Sequence, residues 1–327
     1  MGTLYLDRAG LELRIDGAAL AIYADGARTT TVPIKLLERV VLRGRQTRLD
    51  TEVLLKLADN GVAVTLVGAR MAQRTAIVLG SAHNDAAIRL AQAAAVGNPD
   101  YCLNFGRTVV RAKLRRQGRL LRELMAHRPD IRKPLFDAER AVVAALGTLA
   151  EATALAPDVL RGIEGAAARA YFQGYCAAFP AAAHFKGRNR RPPRDPVNVC
   201  LSLAYTLLHA DAVRATHSAG LDPLLGFYHR PAFGRESLAC DLVEPLRAVA
   251  DQWVWTQWRQ GALRLEHFSV TNGACLLHKA GREHFYPAWE AAMAIPRRWL
   301  RQTCAHLARS LRLAGLPLLE EGGDDET

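Results

Sequence analysis

No two of the six cysteines, at positions 102, 176, 200, 240, 275 and 304, are spaced as C-x-x-C. They fit neither a disulfide framework nor a zinc site, and they read as reduced, mostly buried thiols. Nowhere does an apolar run of about 18 residues escape charge, as a membrane span would require. The opening stretch MGTLYLDRAGLELR lacks the pattern of a signal peptide. These absences point to a soluble, cytoplasmic protein with no membrane partner. Lysine is scarce as well: there are six lysines against 37 arginines.

The chain is nevertheless basic, with a net charge of +11 over 327 residues. A surplus of that sign suggests a polyanionic partner. Arginine suits phosphate because its planar fork binds two oxygens at once. A coding bias toward Ala and Arg would explain arginine over lysine, but not the excess over acids. Half the residues are hydrophobic, enough for a sizeable core, and the length suggests two domains.

Residues 3–79 read as β-rich. TLYLD, LELRID, ALAIYA, TTTVPI, ERVVLRG and VAVTLVG have strand character, and IDGA and YADGA place Asp-Gly turn signals between three of them. LDTEVLLKLADNG has helical spacing, with Asp50 or Thr51 as cap and Gly61 as stop. From His83 onward the pattern predicts helices over 84–96, 100–127, 136–154, 158–178, 196–218, 236–258 and 287–312. The expected fold is therefore α+β: a small β-rich domain over 1–82, a larger all-α domain over 83–315, and an acidic, apolar-poor tail over 316–327.

Five segments carry chemistry-bearing residues, and the first four are each open to two readings. In ESLACDLVEPLR, Asp241 and Glu244 are three residues apart and can point at one spot. Pro245 removes the helical partner of the Asp241 carbonyl and kinks the helix. That leaves either a solvated polar face with a tolerated kink, or two carboxylates presented in a cleft. In RGIEGAAARAYF, Glu164 has Gly162 and Gly165 as neighbours. Glycine is unfavourable inside helices, so they imply either close helix packing or room for a substrate or metal. The basic loop HFKGRNRRPPRDPVN contains Arg188 and Arg191 and ends in Asp195-Pro196, a good helix start; it is suited to holding phosphate, or is merely solvated. The stripe Arg107, Arg111, Arg115, Arg119 either tracks a phosphate backbone or is an ordinary solvated face. His229 lies in the Gly- and Pro-flanked turn GFYHRPAFG, just before the acidic helix.

In this order, GIEGAAARAYF, RNRRPPRDPVNVCLSLAYTLL, GFYH and GRESLACDLVEPLR closely resemble the CRISPR-associated spacer-acquisition integrases, the universal Cas-one endonucleases. The resemblance spans nearly the whole chain, since LERVVLRGRQTRLDTEVLLKLADNGVAVTLV looks like the family's β-domain. It implies a β-rich domain used for homodimerisation and a helical catalytic domain. It implies a divalent metal held by Glu164, His229 and Glu244, with Asp241 nearby as a further catalytic residue. Two carboxylates and an imidazole suit Mg²⁺ or Mn²⁺. The implied partners are double-stranded DNA and the small Cas-two protein, in a complex of two integrase dimers flanking one Cas-two dimer. The implied reaction is transesterification: a 3′-hydroxyl of a short duplex attacks a phosphodiester at the edge of a CRISPR repeat, in antiviral defence. Arg188, Arg191 and Arg247 are the candidate phosphate clamps. A casposon-type transposon integrase, or a non-catalytic nucleic-acid scaffold, are the alternatives.

Overall fold

The structure is a computed structural model that describes residues 2–43, 46–68, 75–80, 85–152, 155–189, 192–271 and 273–320. The boundary expected at 82–83, Arg191 and most of the acidic tail lie outside the described residues. The chain divides into two compact units, Met1–Asn84 with Tyr286–Ala291, and Asp85–Phe285 with Ala292–Thr327.

The first unit holds two sheets. Strands β1 (Gly2–Leu6), β2 (Leu11–Asp16), β3 (Ala19–Ala24), β4 (Ala27–Pro33), β5 (Leu37–Arg43), β6 (Arg48–Leu49), β7 (Ala63–Val67) and β8 (Thr75–Val78) order as β1-β5-β7-β8 and β4-β3-β2-β6. The β3–β4 turn is Asp25-Gly26, with φ of +53° and +79°. Both central residues are thus left-handed, as a type I′ hairpin demands, and its twist matches that of the strands. The alternating pattern of β2 and β3 buries Leu11, Leu13, Leu20 and Ile22. These pack with Val40 and Leu42 of β5, and with Val53 and Leu57 of helix α1 (Thr51–Asp59). Strand β5 also buries a charge. Arg39, only 2% exposed, donates to Glu290 at 3.0 Å, while Tyr5 of β1 donates to the same carboxylate and stacks on Tyr286 at 4.3 Å. The late segment Tyr286–Ala291 thereby completes the N-terminal unit.

The second unit is helical: α2 (Ala86–Gly97), α3 (Pro99–His127), α4 (Arg132–Glu151), α5 (Pro157–Ala177), α6 (Pro196–Ser218), α7 (Ser237–Val243) and α8 (Arg247–Arg259). A hairpin of β9 (Phe268–Thr271) and β10 (Ala274–Leu277) follows, then α9 (Lys279–Ala292), α10 (Ala294–Gly315) and α11 (Pro317–Glu320). Helix α6 starts as the Asp-Pro pair dictates: the Asp195 side chain accepts from Asn198 N at 2.8 Å, and Pro196 takes the first helical position. Sequence and structure differ at four places here. The expected helices leave out the hairpin of β9 and β10. The helix expected over 236–258 is interrupted by a 3₁₀ turn, Glu244–Leu246, at Pro245, because the proline ring has no N–H for the Asp241 carbonyl. The helix expected over 287–312 is two helices, broken at Met293 (ψ 4°). The start of the tail, Pro317–Glu320, is helical. Among the described residues no helix is long and apolar enough to cross a membrane. Of the cysteines, 102, 200, 275 and 304 are buried, 176 and 240 half-buried, and all six are free thiols.

Candidate active site

Side chains from several elements line one cavity of about 820 Å³. Helix α3 contributes Lys113 and Gln117, α5 contributes Glu164, the loop before α7 contributes Tyr228 and His229, and the 3₁₀ turn contributes Glu244. The loop gets close to α7 only because residue 226 is glycine. A Cβ there would lie 2.5 Å from the Ser237 carbonyl carbon and 2.7 Å from His229 O. Across the loop, Gly106 of α3 leaves room for the Tyr228 ring, which a Cβ would meet at 2.7 Å.

The 3₁₀ turn at Pro245 keeps Glu244 directed at the cavity although the residue is only 6% exposed. Arg247 Nε donates to its Oε1 at 2.8 Å. Lys113 Nζ lies 2.6 Å from its Oε2, a close ion pair whose angle is poor for a hydrogen bond. The same ammonium donates to Glu164 Oε1. Burial would raise the Glu244 carboxyl, but the Arg247 guanidinium and the Lys113 ammonium overcome it and hold it down at about 2. Burial likewise pulls the Lys113 ammonium down, and the two carboxylates outweigh it and raise it. Among the described residues, a Cβ at Gly162 would meet nothing within 4 Å, and one at Gly165 only the Arg169 guanidinium at 3.9 Å, so no close packing there calls for glycine.

Asp241 sits behind His229, fully buried. Its Oδ2 accepts from Phe227 N at 2.8 Å and Tyr228 N at 3.0 Å; its Oδ1 accepts from His229 N at 2.8 Å and His229 Nδ1 at 2.7 Å. With Nδ1 donating to a carboxylate, a neutral ring has its lone pair on the other nitrogen, Nε2. A carboxylate with four donors has no oxygen left for a metal. Asp241 thus fixes the GFYH loop and the imidazole, a common arrangement behind metal-binding histidines. The solvated polar face is also excluded: Asp241, Glu244 and Asp251 are all buried.

The expected phosphate clamps separate. Arg247 lines the cavity and lies over the Tyr205 ring at 4.7 Å. Arg188 covers the same ring at 5.1 Å, but its guanidinium also donates to Asn198 Oδ1 at 2.6 Å and Ser202 Oγ at 3.2 Å. Arg188 therefore ties its loop to α6. Of the α3 stripe, Arg107 donates to the last carbonyls of α4, Leu149 O at 3.0 Å from Nε, while Arg115 and Arg119 are exposed.

Three features of the site go beyond what the sequence indicates. By sequence, Lys113 is one more basic residue of α3. Asp251 accepts from the hydroxyls of Tyr171 at 2.7 Å and of Tyr205; burial raises its carboxyl to about 6, and these hydroxyls oppose the rise. Tyr228 is pushed up by burial and then by Glu164 and Glu244. Position is the one signal for Lys113: at 100° per residue, it stands about 200° from Arg111, beside Val110, Leu114 and Gln117 on the apolar arc.

The donor set suits a hard divalent cation. Two carboxylates from different elements already bracket one positive charge, a buried oxygen of Glu244 lacks a well-angled hydrogen bond, and an oriented imidazole shares the cavity. Among the described residues, no three His, Cys, Asp or Glu side chains are already gathered as a ligand cluster; the Lys113 ammonium takes the place between the two glutamates.

A β-rich unit followed by a helical unit, with two glutamates and a carboxylate-backed histidine in an arginine-lined cavity, is an arrangement chemically suited to an enzyme that acts on a polyanion. Residues 4–291 match the family model described as CRISPR associated protein Cas1, and the chain belongs to that family. It is 37% identical over 295 residues to "CRISPR-associated endonuclease Cas1 1" of Thermodesulfovibrio yellowstonii, covering 89% of this chain and 91% of that relative. The fold is similar to that of a "Casposase bound to integration product" (TM-score 0.83, 23% identity, 96% of this chain and 91% of that one). It is also similar to a chain of a "Cas6-RT-Cas1--Cas2 complex" (TM-score 0.79, 22% identity, 95% of this chain and 35% of that one).

Proposed function

We propose that this chain is a metal-dependent DNA endonuclease and integrase that inserts short DNA segments into a CRISPR array. The observation that carries the reading is the meeting of Glu164 and Glu244, from separate elements, at one buried cation in an arginine-lined cavity. Glu164, His229 Nε2 and Glu244 are the residues that would hold Mg²⁺ or Mn²⁺. Such an ion supplies charge neutralisation at the phosphoryl oxygen and eases deprotonation of the attacking hydroxyl. In the reaction a 3′-oxygen forms a new bond to phosphorus, the old P–O3′ bond breaks, and the displaced oxygen takes up a proton, so the count of phosphodiesters is unchanged. Asp241 holds the imidazole in one tautomer. Arg247 fixes the Glu244 carboxylate, and Arg161, Arg230 and Arg235 face the cavity where phosphates enter. Positioning and electrostatic stabilisation then account for most of the catalysis.

The proposed partners are double-stranded DNA, a second copy of this chain through the β-rich unit, and the Cas2 protein. The CRISPR reading is preferred to the transposon one because the matching family and the 37%-identical relative are CRISPR-associated, whereas the casposase shares 23% identity. The test is strand joining with Mn²⁺. Glu164→Ala should bind the DNA duplex as the wild type does and fail to join it. Joining at the wild-type rate would refute the assignment of Glu164.

A further inference from the structure

Lys113 and Arg247 together balance Glu164 and Glu244, two positive charges against two negative. With both resident cations in place, a divalent ion entering this centre would leave surplus positive charge, even counting the Asp241 carboxylate behind His229, in a place where Glu244 is 6% and Lys113 9% exposed. Uncompensated charge so far from water is strongly disfavoured. One of the two resident cations must therefore give way, and the structure distinguishes them. Arg247 is held on two sides, by Glu244 Oε1 at 2.8 Å and by the Tyr205 ring at 4.7 Å. Lys113 meets the two carboxylates through its ammonium alone, at the end of a flexible four-carbon stem, and it lines the cavity. Its Nζ also stands between the two carboxylates, where their shared ligand would be.

Resting on the metal reading above, we propose that Lys113 is a tethered stand-in for the metal ion. Its ammonium bridges Glu164 and Glu244 when no metal is bound. It keeps two neighbouring carboxylates, one buried and one half-buried, side by side that would otherwise repel each other, and it swings into the cavity when a divalent ion takes its place. The displaced ammonium then joins Arg161, Arg230 and Arg235 on the side where DNA phosphates arrive. Lys113 is thus a positioning residue that sets metal affinity. Metal and DNA binding assist one another, because the incoming phosphate neutralises the ammonium the metal has expelled.

Mn²⁺ titration calorimetry without DNA tests this on the full chain, with Glu164→Ala as the site control. Lys113→Met removes the competitor, so it should bind Mn²⁺ tighter than the wild type by roughly tenfold or more. Its metal-free melting temperature should fall, and Mn²⁺ should raise that temperature by more than it does in the wild type. Equal or weaker Mn²⁺ affinity in a Lys113→Met protein with a native circular dichroism spectrum would overturn the proposal. A second measurement needs no variant. Acetylation of wild-type Lys113, read by mass spectrometry, should rise severalfold when Mn²⁺ is added, and labelling indifferent to Mn²⁺ would overturn the displacement. If Mn²⁺ bound the wild type and Glu164→Ala alike, the metal reading itself would fail, and this inference with it.

Discussion

Replacing Asp241 with asparagine separates its two conceivable roles. A carboxylate that served mainly to ligate metal would repel Glu244 in the metal-free protein, and neutralising it would leave stability unchanged or raise it. A carboxylate that organises a loop would lose stability on the same change. The Asp241→Asn side chain would keep one acceptor oxygen and present an amide NH₂ at the other position. If the NH₂ took the Oδ2 position, it would face the backbone N–H groups of Phe227 and Tyr228, which now donate at 2.8 and 3.0 Å. Two hydrogen bonds to a charged group would be lost in a fully buried place, at about 1.5–3 kcal/mol each, or about 3–6 kcal/mol together. For a unit of this size about 2–4 °C is lost per kcal/mol, so the metal-free protein should melt roughly 6–24 °C lower. Calorimetry in a chelating buffer reads this directly. The same variant frees the imidazole to change tautomer, and a loss of about 10–100-fold in metal affinity is the usual scale for such a change. A melting temperature within about 2 °C of the wild type would refute the hub assignment.

Three further outcomes are expected. The Asp251 carboxyl is raised from 3.8 to about 6, so the folded state holds its proton more tightly than the unfolded chain. The penalty for ionising it is absent below about pH 4 and complete above about pH 6, near 3 kcal/mol at about 1.4 kcal/mol per unit. Urea unfolding of Asp251→Asn should therefore gain on the wild type by about that much between pH 4 and 7, and a constant difference would refute it. Arg115 and Arg119 are exposed on α3; if they follow a DNA backbone, replacing both with Ala should lower the slope of log affinity against log salt by about 0.9 for each phosphate no longer neutralised, and an unchanged slope would remove them from the interface. Gly226→Ala forces a Cβ to within 2.5 Å of backbone at Ser237, so denaturant titration should show a loss of about 1–3 kcal/mol or more, with strand joining impaired as the GFYH turn shifts; wild-type stability would refute this close-approach argument.

Features written locally could be read from sequence. The Asp25-Gly26 turn and the Asp195-Pro196 helix start depend on two residues each, and both appear as their chemistry requires. Glu164, His229 and Glu244 were recognisable through motif order, and they share one cavity. The position of Asp241 behind His229 was not legible, because spacing along one helix says nothing about which loop folds over it. Lys113 escaped for a related reason: a lysine among arginines looks solvated until α5 and the 3₁₀ turn bring two carboxylates to it. The break at Met293 and strand β8 have no strong turn chemistry of their own, and tertiary packing decides them.

Arg39 and its partner Glu290 are separated by 251 residues. On a ribosome adding about 5–20 residues per second, strand β5 emerges roughly 12–50 seconds before that carboxylate exists. The N-terminal unit is therefore the first to be synthesised but among the last to be completed. Through that interval its sheet carries a buried guanidinium without the Glu290 acceptor, and Tyr5 waits for the ring of Tyr286. The final assembly of the β-rich unit is timed by the synthesis of α9, so an expression fragment ending near residue 84 would capture the strands in the state the nascent chain passes through, not the one the finished protein holds.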